Sequence, residues 1–160
     1  MRRASRRSFR PPLGDTSRDE AVLRGAPLSA AERAWNTELT GALRAAGHEV
    51  FLPQEQEPGK DAAGIFSTDV GGIDWADALV AIMDGPDPDS GTAWECGYAF
   101  AKKPIVLVRT DFRAQTGSGA PYNAMLTESA TFRLDLPFAP MARVIAELLD
   151  ALGRLEEKTR

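Results

Sequence analysis

The sequence has one cysteine, Cys96, and one histidine, His48. A single cysteine excludes a disulfide within the chain, and neither a thiolate cage nor a zinc site built on several imidazoles can form. No apolar run approaches the roughly 20 residues that span a bilayer, so no membrane partner is expected. A glycine-rich phosphate signature is also missing, because Gly85, Gly91 and Gly97 match neither the P-loop nor the dinucleotide fingerprint. Basic residues are outnumbered, 19 Lys and Arg against 23 Asp and Glu, for a net charge of −4. The folded body therefore has no reason to seek phosphate backbones, and a nucleic-acid polymer is not an expected partner. What is present is ordinary: 160 residues, 43% hydrophobic and 26% charged, which suits one domain with one core.

The first residues differ from the rest. Met1-Arg-Arg-Ala-Ser-Arg-Arg-Ser-Phe-Arg10, followed by Pro11-Pro12, is basic and lacks the apolar stretch of a secretory signal. Residues 1–20 read as a disordered basic tail that buries too little surface to offset its ordering entropy. Residues 21–160 read as a single cytoplasmic domain.

Within that domain, Ala21-Val22-Leu23-Arg24-Gly25 reads as a first strand. Ser29-Ala-Ala-Glu32 is a capping box, and behind it Ala31, Trp35, Leu39 and Leu43 form an apolar stripe on a helix that stops at Gly47. Glu49-Val50-Phe51-Leu52 is a strand cut off by Pro53, and residues 54–64 read as a polar loop. A helix is expected within residues 65–78, weakened by Gly71-Gly72. Leu79-Val-Ala-Ile-Met83 and Pro104-Ile-Val-Leu-Val-Arg109 are continuous apolar runs, as in strands buried on both faces of a parallel sheet. A helix from Ser90 to Lys102 lies between them, and residues 115–121 form a Gly/Ser-rich loop. Met141, Val144, Ile145, Leu148, Leu149, Leu152 and Leu155 share one face of a final helix. Strands alternating with helices imply an α/β fold: an open doubly wound, flavodoxin- or Rossmann-like parallel sheet of about five strands with helices on both faces.

In such sheets the ligand lies beyond the carboxyl ends of the strands. The most polar loop there is Asp84-Gly-Pro-Asp-Pro-Asp89, which leads through Ser90-Gly-Thr-Ala-Trp to Glu95. Its prolines and glycines turn the chain and deliver Asp89 to the strand's edge and Glu95 to the first turns of the next helix. The positive helix end favours an ionised carboxylate there. Such a carboxylate can attack an anomeric carbon, while a second carboxyl serves as acid or hydrogen-bond partner for the leaving group. The plainer reading makes Asp89 an N-cap and Glu95 a first-turn charge. Spacing alone does not decide between them.

The ordered motifs go further. Ser29-Ala-Ala-Glu-Arg-Ala-Trp-Asn36, Gly47-His-Glu-Val-Phe-Leu-Pro-Gln54, Ile65-Phe-Ser-Thr-Asp69-Val-Gly-Gly-Ile73 with Ala76-Asp77, and Asp89-Ser-Gly-Thr-Ala-Trp-Glu95-Cys-Gly-Tyr98-Ala occur in sequence. Lys103-Pro-Ile, Arg109-Thr-Asp-Phe-Arg113 and Asn123-Ala-Met125 complete the set. Together they resemble the nucleoside 2-deoxyribosyltransferases. The resemblance implies that Glu95 is the nucleophile and Asp89 its catalytic partner, with Asp69, Asn123 and Met125 at the substrate. Gly91 and Tyr98 are further substrate-binding candidates, as is Asp84, which reads equally as a turn former. It implies a nucleoside and a free nucleobase as ligands, no cofactor and no metal. It also implies a homo-oligomer, a dimer or larger, in which Asn123 and Met125 complete a neighbour's site. The chain departs from the family at its first strand: no Tyr or Phe occurs between Arg10 and Trp35, and Arg24 on a central strand needs a partner.

The remaining residues have simpler readings. Trp35, Trp75 and Trp94 read as packing residues, Cys96 as a buried inert thiol, His48 as a surface residue and Asp77 as a local amide partner. Tyr98, one turn beyond Glu95, can either pack or hydrogen-bond that carboxylate. Arg109 and Arg113 either pair with local carboxylates or approach substrate. Three functions remain in view: transfer of deoxyribose, hydrolysis of nucleosides or their 5′-monophosphates, and nucleoside binding without turnover.

Overall fold

The computed structural model describes residues 20–24, 29–56, 58–112 and 122–159. Residues 1–19 of the tail and the Gly/Ser-rich loop of residues 115–121 lie outside them, as do the side chain of Arg24 and residues 25–28; Glu20, given to the tail by its sequence, opens the first strand instead.

Five parallel strands form one sheet in the order β2-β1-β3-β4-β5. They are β1 (Glu20–Arg24), β2 (Glu49–Phe51), β3 (Ala78–Ile82), β4 (Ile105–Arg109) and β5 (Phe132–Asp135). The central pair is in register at Val22 with Leu79 and Leu23 with Val80, and β3 meets β4 at Val80 with Val106. The parallel α/β architecture is the one expected. Chain order reverses between β1 and β3, so the switch point lies at the carboxyl ends of those two strands.

Alternation along the strands divides the core. Leu23, Val80, Val106 and Val108 face α1 (Ala30–Ala45) and α6 (Met141–Thr159), meeting Leu39, Leu43, Val144 and Leu148. Leu79, Ala81, Ile105 and Leu107 face the other way, toward Ile73 of α3 (Ala62–Trp75), Cys96 and Ala99 of α4 (Ser90–Phe100), and Leu126 of α5 (Ala124–Ser129). Successive strand residues point to opposite faces, so a strand covered on both sides is apolar throughout. All of β4 is buried.

The first helix begins and ends as its sequence dictates. Ser29 is extended and its oxygen accepts from the Glu32 amide at 3.2 Å. At the other end Gly47 has φ +105, and the amides of Gly47 and His48 return to the carbonyls of Arg44 and Leu43 at 3.1 and 3.2 Å. This is the Schellman geometry, which needs a residue without Cβ at the left-handed position. The buried face differs from the expected stripe. It carries Asn36, Leu39, Thr40 and Leu43, while Ala31 is exposed and Trp35 packs from the margin.

The expected loop of residues 54–64 contains a short helix, α2 (Pro53–Gln56). The proline that ends β2 also begins α2, since the first helical position needs no N–H. The third helix starts earlier than its apolar pattern suggests, capped by Asp61, whose carboxylate accepts from the Gly64 amide at 2.8 Å. It then runs unbroken through Gly71-Gly72. The reason is packing: a Cβ on Gly72 would lie 2.5 Å from the Phe51 ring. Glycine lets α3 close against the β2 edge of the sheet.

Candidate active site

Two loops meet at the carboxyl ends of β3 and β4. Met83 prolongs β3, its amide bonding the Val108 carbonyl at 2.8 Å. Asp84 then turns toward β4. Its Oδ1 accepts from the amides of Thr110 and Asp111 at 2.6 and 3.0 Å, and its Oδ2 accepts from the Thr110 hydroxyl at 2.6 Å. Asp111 answers in the other direction, Oδ2 accepting from the Gly85 amide at 3.1 Å. The Asp84 carboxylate, a substrate-site candidate, is thus engaged by the two residues that follow β4 and braces that junction. Gly85 makes the bend with φ +115.

Past Pro86 and Pro88, Asp89 caps α4. Its Oδ2 accepts from the Thr92 amide at 2.9 Å and lies 3.4 Å from the Thr92 hydroxyl. A Cβ on Gly91 would come within 3.0 Å of that same oxygen, so Gly91 makes room for the cap. The structural reading of Asp89 as an N-cap therefore holds, and it fixes one carboxylate oxygen.

Each face of α4 has a distinct neighbour. Thr92, Cys96 and Ala99 are buried against the sheet. Trp94 and Tyr98 stack on each other at 5.4 Å and turn toward α3, where Phe66 meets Trp94 at 5.6 Å. Glu95 lies between these faces and is half-buried. It belongs to the second turn of α4, where the pull of the helix end is weaker than in the first turn. Asp69, on neighbouring α3, is half-buried too, with its Oδ1 shielded from solvent.

Tyr98 reaches across to α3. Its hydroxyl donates to the Asp74 carboxylate on α3, 3.1 Å from both oxygens, and Lys102 sits 3.3 Å above its ring. Lys102 also pairs with Asp74 at 2.9 Å. Partial burial works against the Asp74 charge, but hydrogen bonds from Lys102 and Tyr98 outweigh it and hold the carboxyl below its ordinary value.

Asn123 and Met125 lie elsewhere. Asn123 caps α5, its Oδ1 accepting from the amides of Met125 and Leu126 at 3.0 and 3.2 Å. Met125 is 82% exposed. Both line an apolar groove of about 410 Å³ whose opposite wall is Ala93, Gly97 and Phe100 of α4. Glu95 is not part of that lining. Within one chain, Asn123 and Met125 therefore stand on the flank of α4 away from α3, apart from the carboxylates.

Cys96, next to Glu95, is fully buried. Burial, helped by the neighbouring Glu95 charge, pushes its thiol from an ordinary 9.0 up to about 12. Two results follow. The native protein should leave a thiol-directed colorimetric reagent unconsumed at pH 8, while the unfolded chain consumes one equivalent. Stability contributed by the neutral thiol is complete below pH 9.0 and declines between there and about 12. A fast native reaction at pH 8 would contradict both.

Arg109, whose role the sequence leaves open, is 2% exposed. Its Nε donates to the Asp111 carbonyl at 3.0 Å, its two terminal nitrogens to the carbonyls of Met83 and Gly85. The only signal was its position at the end of an apolar strand. Among the described residues, no three His, Cys, Asp or Glu side chains converge as a metal ion requires, and no helix is long and apolar enough to cross a membrane.

The family model described as nucleoside 2-deoxyribosyltransferase matches residues 25–125. No curated protein sequence matches the chain. Among solved structures, it is similar to the 2-deoxyribosyltransferase of Bacillus psychrosaccharolyticus, at 26% identity over 79% of this chain and 90% of that one, TM-score 0.61. A conserved protein from Enterococcus faecalis V583 shares the fold at 23% identity, covering 84% of this chain and 99% of that one, TM-score 0.66. So does a CMP N-glycosidase from Clostridium botulinum, at 19% identity over 81% and 98%, TM-score 0.59.

Proposed function

This chain belongs to the nucleoside 2-deoxyribosyltransferase family, and from that premise we propose that it moves a 2-deoxyribosyl group between nucleobases through a covalent ester on Glu95. The observation that carries the proposal is Glu95 itself: a half-buried carboxylate in the second turn of α4, the helix entered by the loop that leaves the carboxyl end of β3, the edge of such a sheet where ligands bind.

The Glu95 carboxylate attacks C1′ as the bond from C1′ to the base nitrogen breaks. The bonding electrons leave with the base, which takes a proton relayed by Asp89 or Asp69. A second base then attacks C1′ from the opposite side, displaces Glu95 and gives up its own proton to the same carboxyls. Two inversions give net retention. Asp69, half-buried on the adjoining helix, suits the role of holding the base. Gly91 serves by letting the Asp89 cap form.

We assign Asn123 and Met125 to the sugar pocket of a neighbouring copy. Two features support this: both are exposed on the far flank of α4, and both border an apolar groove. Since Asn123 uses its Oδ1 to cap α5, its NH₂ is the group it offers a ligand.

The fold shared with a CMP N-glycosidase favours one alternative, in which water replaces the second base and a nucleoside or its 5′-monophosphate is hydrolysed. One experiment separates the readings. Deoxyinosine or thymidine is incubated with and without free adenine, and products are followed by chromatography. New deoxyadenosine is the expected result. Free base without acceptor would indicate hydrolysis, and no turnover would indicate a binding module.

A further inference from the structure

Arg109 poses a physical question that the proposed chemistry leaves open. A guanidinium 2% exposed at the end of a strand of aliphatic residues loses its hydration, and only good hydrogen bonds offset that loss. Another aliphatic residue would fill the same core without the penalty. What the guanidinium adds is direction. Its planar fork reaches the carbonyls of Met83, Gly85 and Asp111 at once. A lysine ammonium, a single point on a flexible stem, cannot span them in that geometry. The Tyr122 ring lies 5.8 Å from the guanidinium carbon, and the Tyr122 hydroxyl is anchored on Asp135 at 3.0 Å.

Two of these three carbonyls belong to the segment that leaves β3 for the candidate site. From Gly85 to Asp89 the chain passes through Pro86 and Pro88, whose rings fix φ near −65°. A segment so stiffened transmits the position of its anchored end. Its other end is the Asp89 cap, which sets the first turn of α4 and, one turn on, Glu95.

We propose that Arg109 is a positioning residue for Glu95: by pinning the Met83 and Gly85 carbonyls it fixes where the chain turns into α4, and so governs turnover. It touches no reacting atom. The proposal rests on the deoxyribosyl-transfer reading, in which the carboxylate must meet C1′ within a narrow range of approach. A misplacement of about 1 Å at such a centre costs on the order of 10²-fold in rate. The bracing carboxylate of Asp84 supports the same junction from the other side.

The test compares Arg109→Lys, which keeps the charge and loses the fork, with Asp84→Asn, a near-isosteric change in the same junction. For each, kcat and KM of base exchange are measured separately, with hydrogen–deuterium exchange over residues 85–92 of the full chain. The expected result is kcat lowered by roughly 10- to 100-fold, KM within about threefold, and faster exchange over residues 85–92. Should Arg109→Lys fail to fold, Asp84→Asn carries the same expectation. A folded Arg109→Lys with wild-type kcat, a loss confined to KM, or unchanged exchange over residues 85–92 would overturn the proposal. Wild-type protein without turnover on any nucleoside marks failure of the transfer reading instead, whereas wild-type turnover with an unaffected Arg109→Lys marks failure of this one.

Discussion

Glu95→Gln is expected to lower kcat for base exchange by on the order of 10⁴-fold or more, the scale seen when a nucleophile is removed. The substitution keeps the side chain's size and its half-buried place on α4. It removes the one property the mechanism needs, an oxygen able to form an ester with C1′. KM should change little, because the lost interaction develops only as the bond to the base breaks. Intact-protein mass spectrometry after rapid quenching should detect a deoxyribosyl adduct on the wild type and none on the variant. A side effect offers an internal check. Part of the upward push on the Cys96 thiol comes from the Glu95 charge, so the thiol should titrate somewhat lower in the variant, with burial still dominant. Full turnover by Glu95→Gln would eliminate the covalent mechanism.

The largest stability effect is expected at the contact between β2 and α3. Phe51 is 6% exposed on an edge strand of only three residues, so its ring does much to hold that edge. Phe51→Ala should cost about 3–5 kcal/mol in urea denaturation, as for other buried aromatics reduced to alanine. The partner position makes the test sharper. Helix propensity alone makes Gly72→Ala stabilising by about 1 kcal/mol. The new Cβ, however, would stand 2.5 Å from the Phe51 ring, and overpacking of that kind costs about 1–3 kcal/mol. The steric term wins, so Gly72→Ala destabilises the native protein. In a Phe51→Ala background the ring is gone, propensity governs, and the same change should stabilise. That reversal of sign is the content of the prediction. Additive effects would show that Gly72 does not owe its identity to Phe51.

The elements legible from sequence are those whose signals are local. Ser29 and Gly47 mark the ends of α1 by chemistry that acts within a few residues. The apolar stripe of α6 and the apolar runs of β3 and β4 follow from periodicity. The last strand carries no such signal. Phe132-Arg-Leu-Asp135 is four residues long with alternating partial exposure, a pattern weak beside the continuous runs of the sheet's centre. Gly71-Gly72 looked like a weakness in α3 because the ring that requires Gly72 lies some twenty residues away.

The site divides in the same way. Sequence pattern points to Asp89 and Glu95 as candidates, and the family resemblance adds Asp69. It did not reveal that Asp84 binds the end of β4, because its partners are 26 and 27 residues distant. Nor did it fix the direction of Tyr98. Helical spacing allows a bond to Glu95 one turn back, but α3 offers Asp74 with a lysine already beside it. Arg109 was the least legible, since a charge at a strand end looks alike whether it meets solvent or is buried.

The position of Asn123 and Met125 across α4 from Glu95 has a consequence in mass action. Under the proposed arrangement, a solitary chain holds halves of two different catalytic centres and completes neither. Specific activity should therefore fall as the protein is diluted through its association midpoint, and recover on reconcentration. Mixing a chain carrying Glu95→Gln with one carrying an Asn123 substitution should restore turnover that neither possesses alone, because some assembled centres would then draw both intact halves.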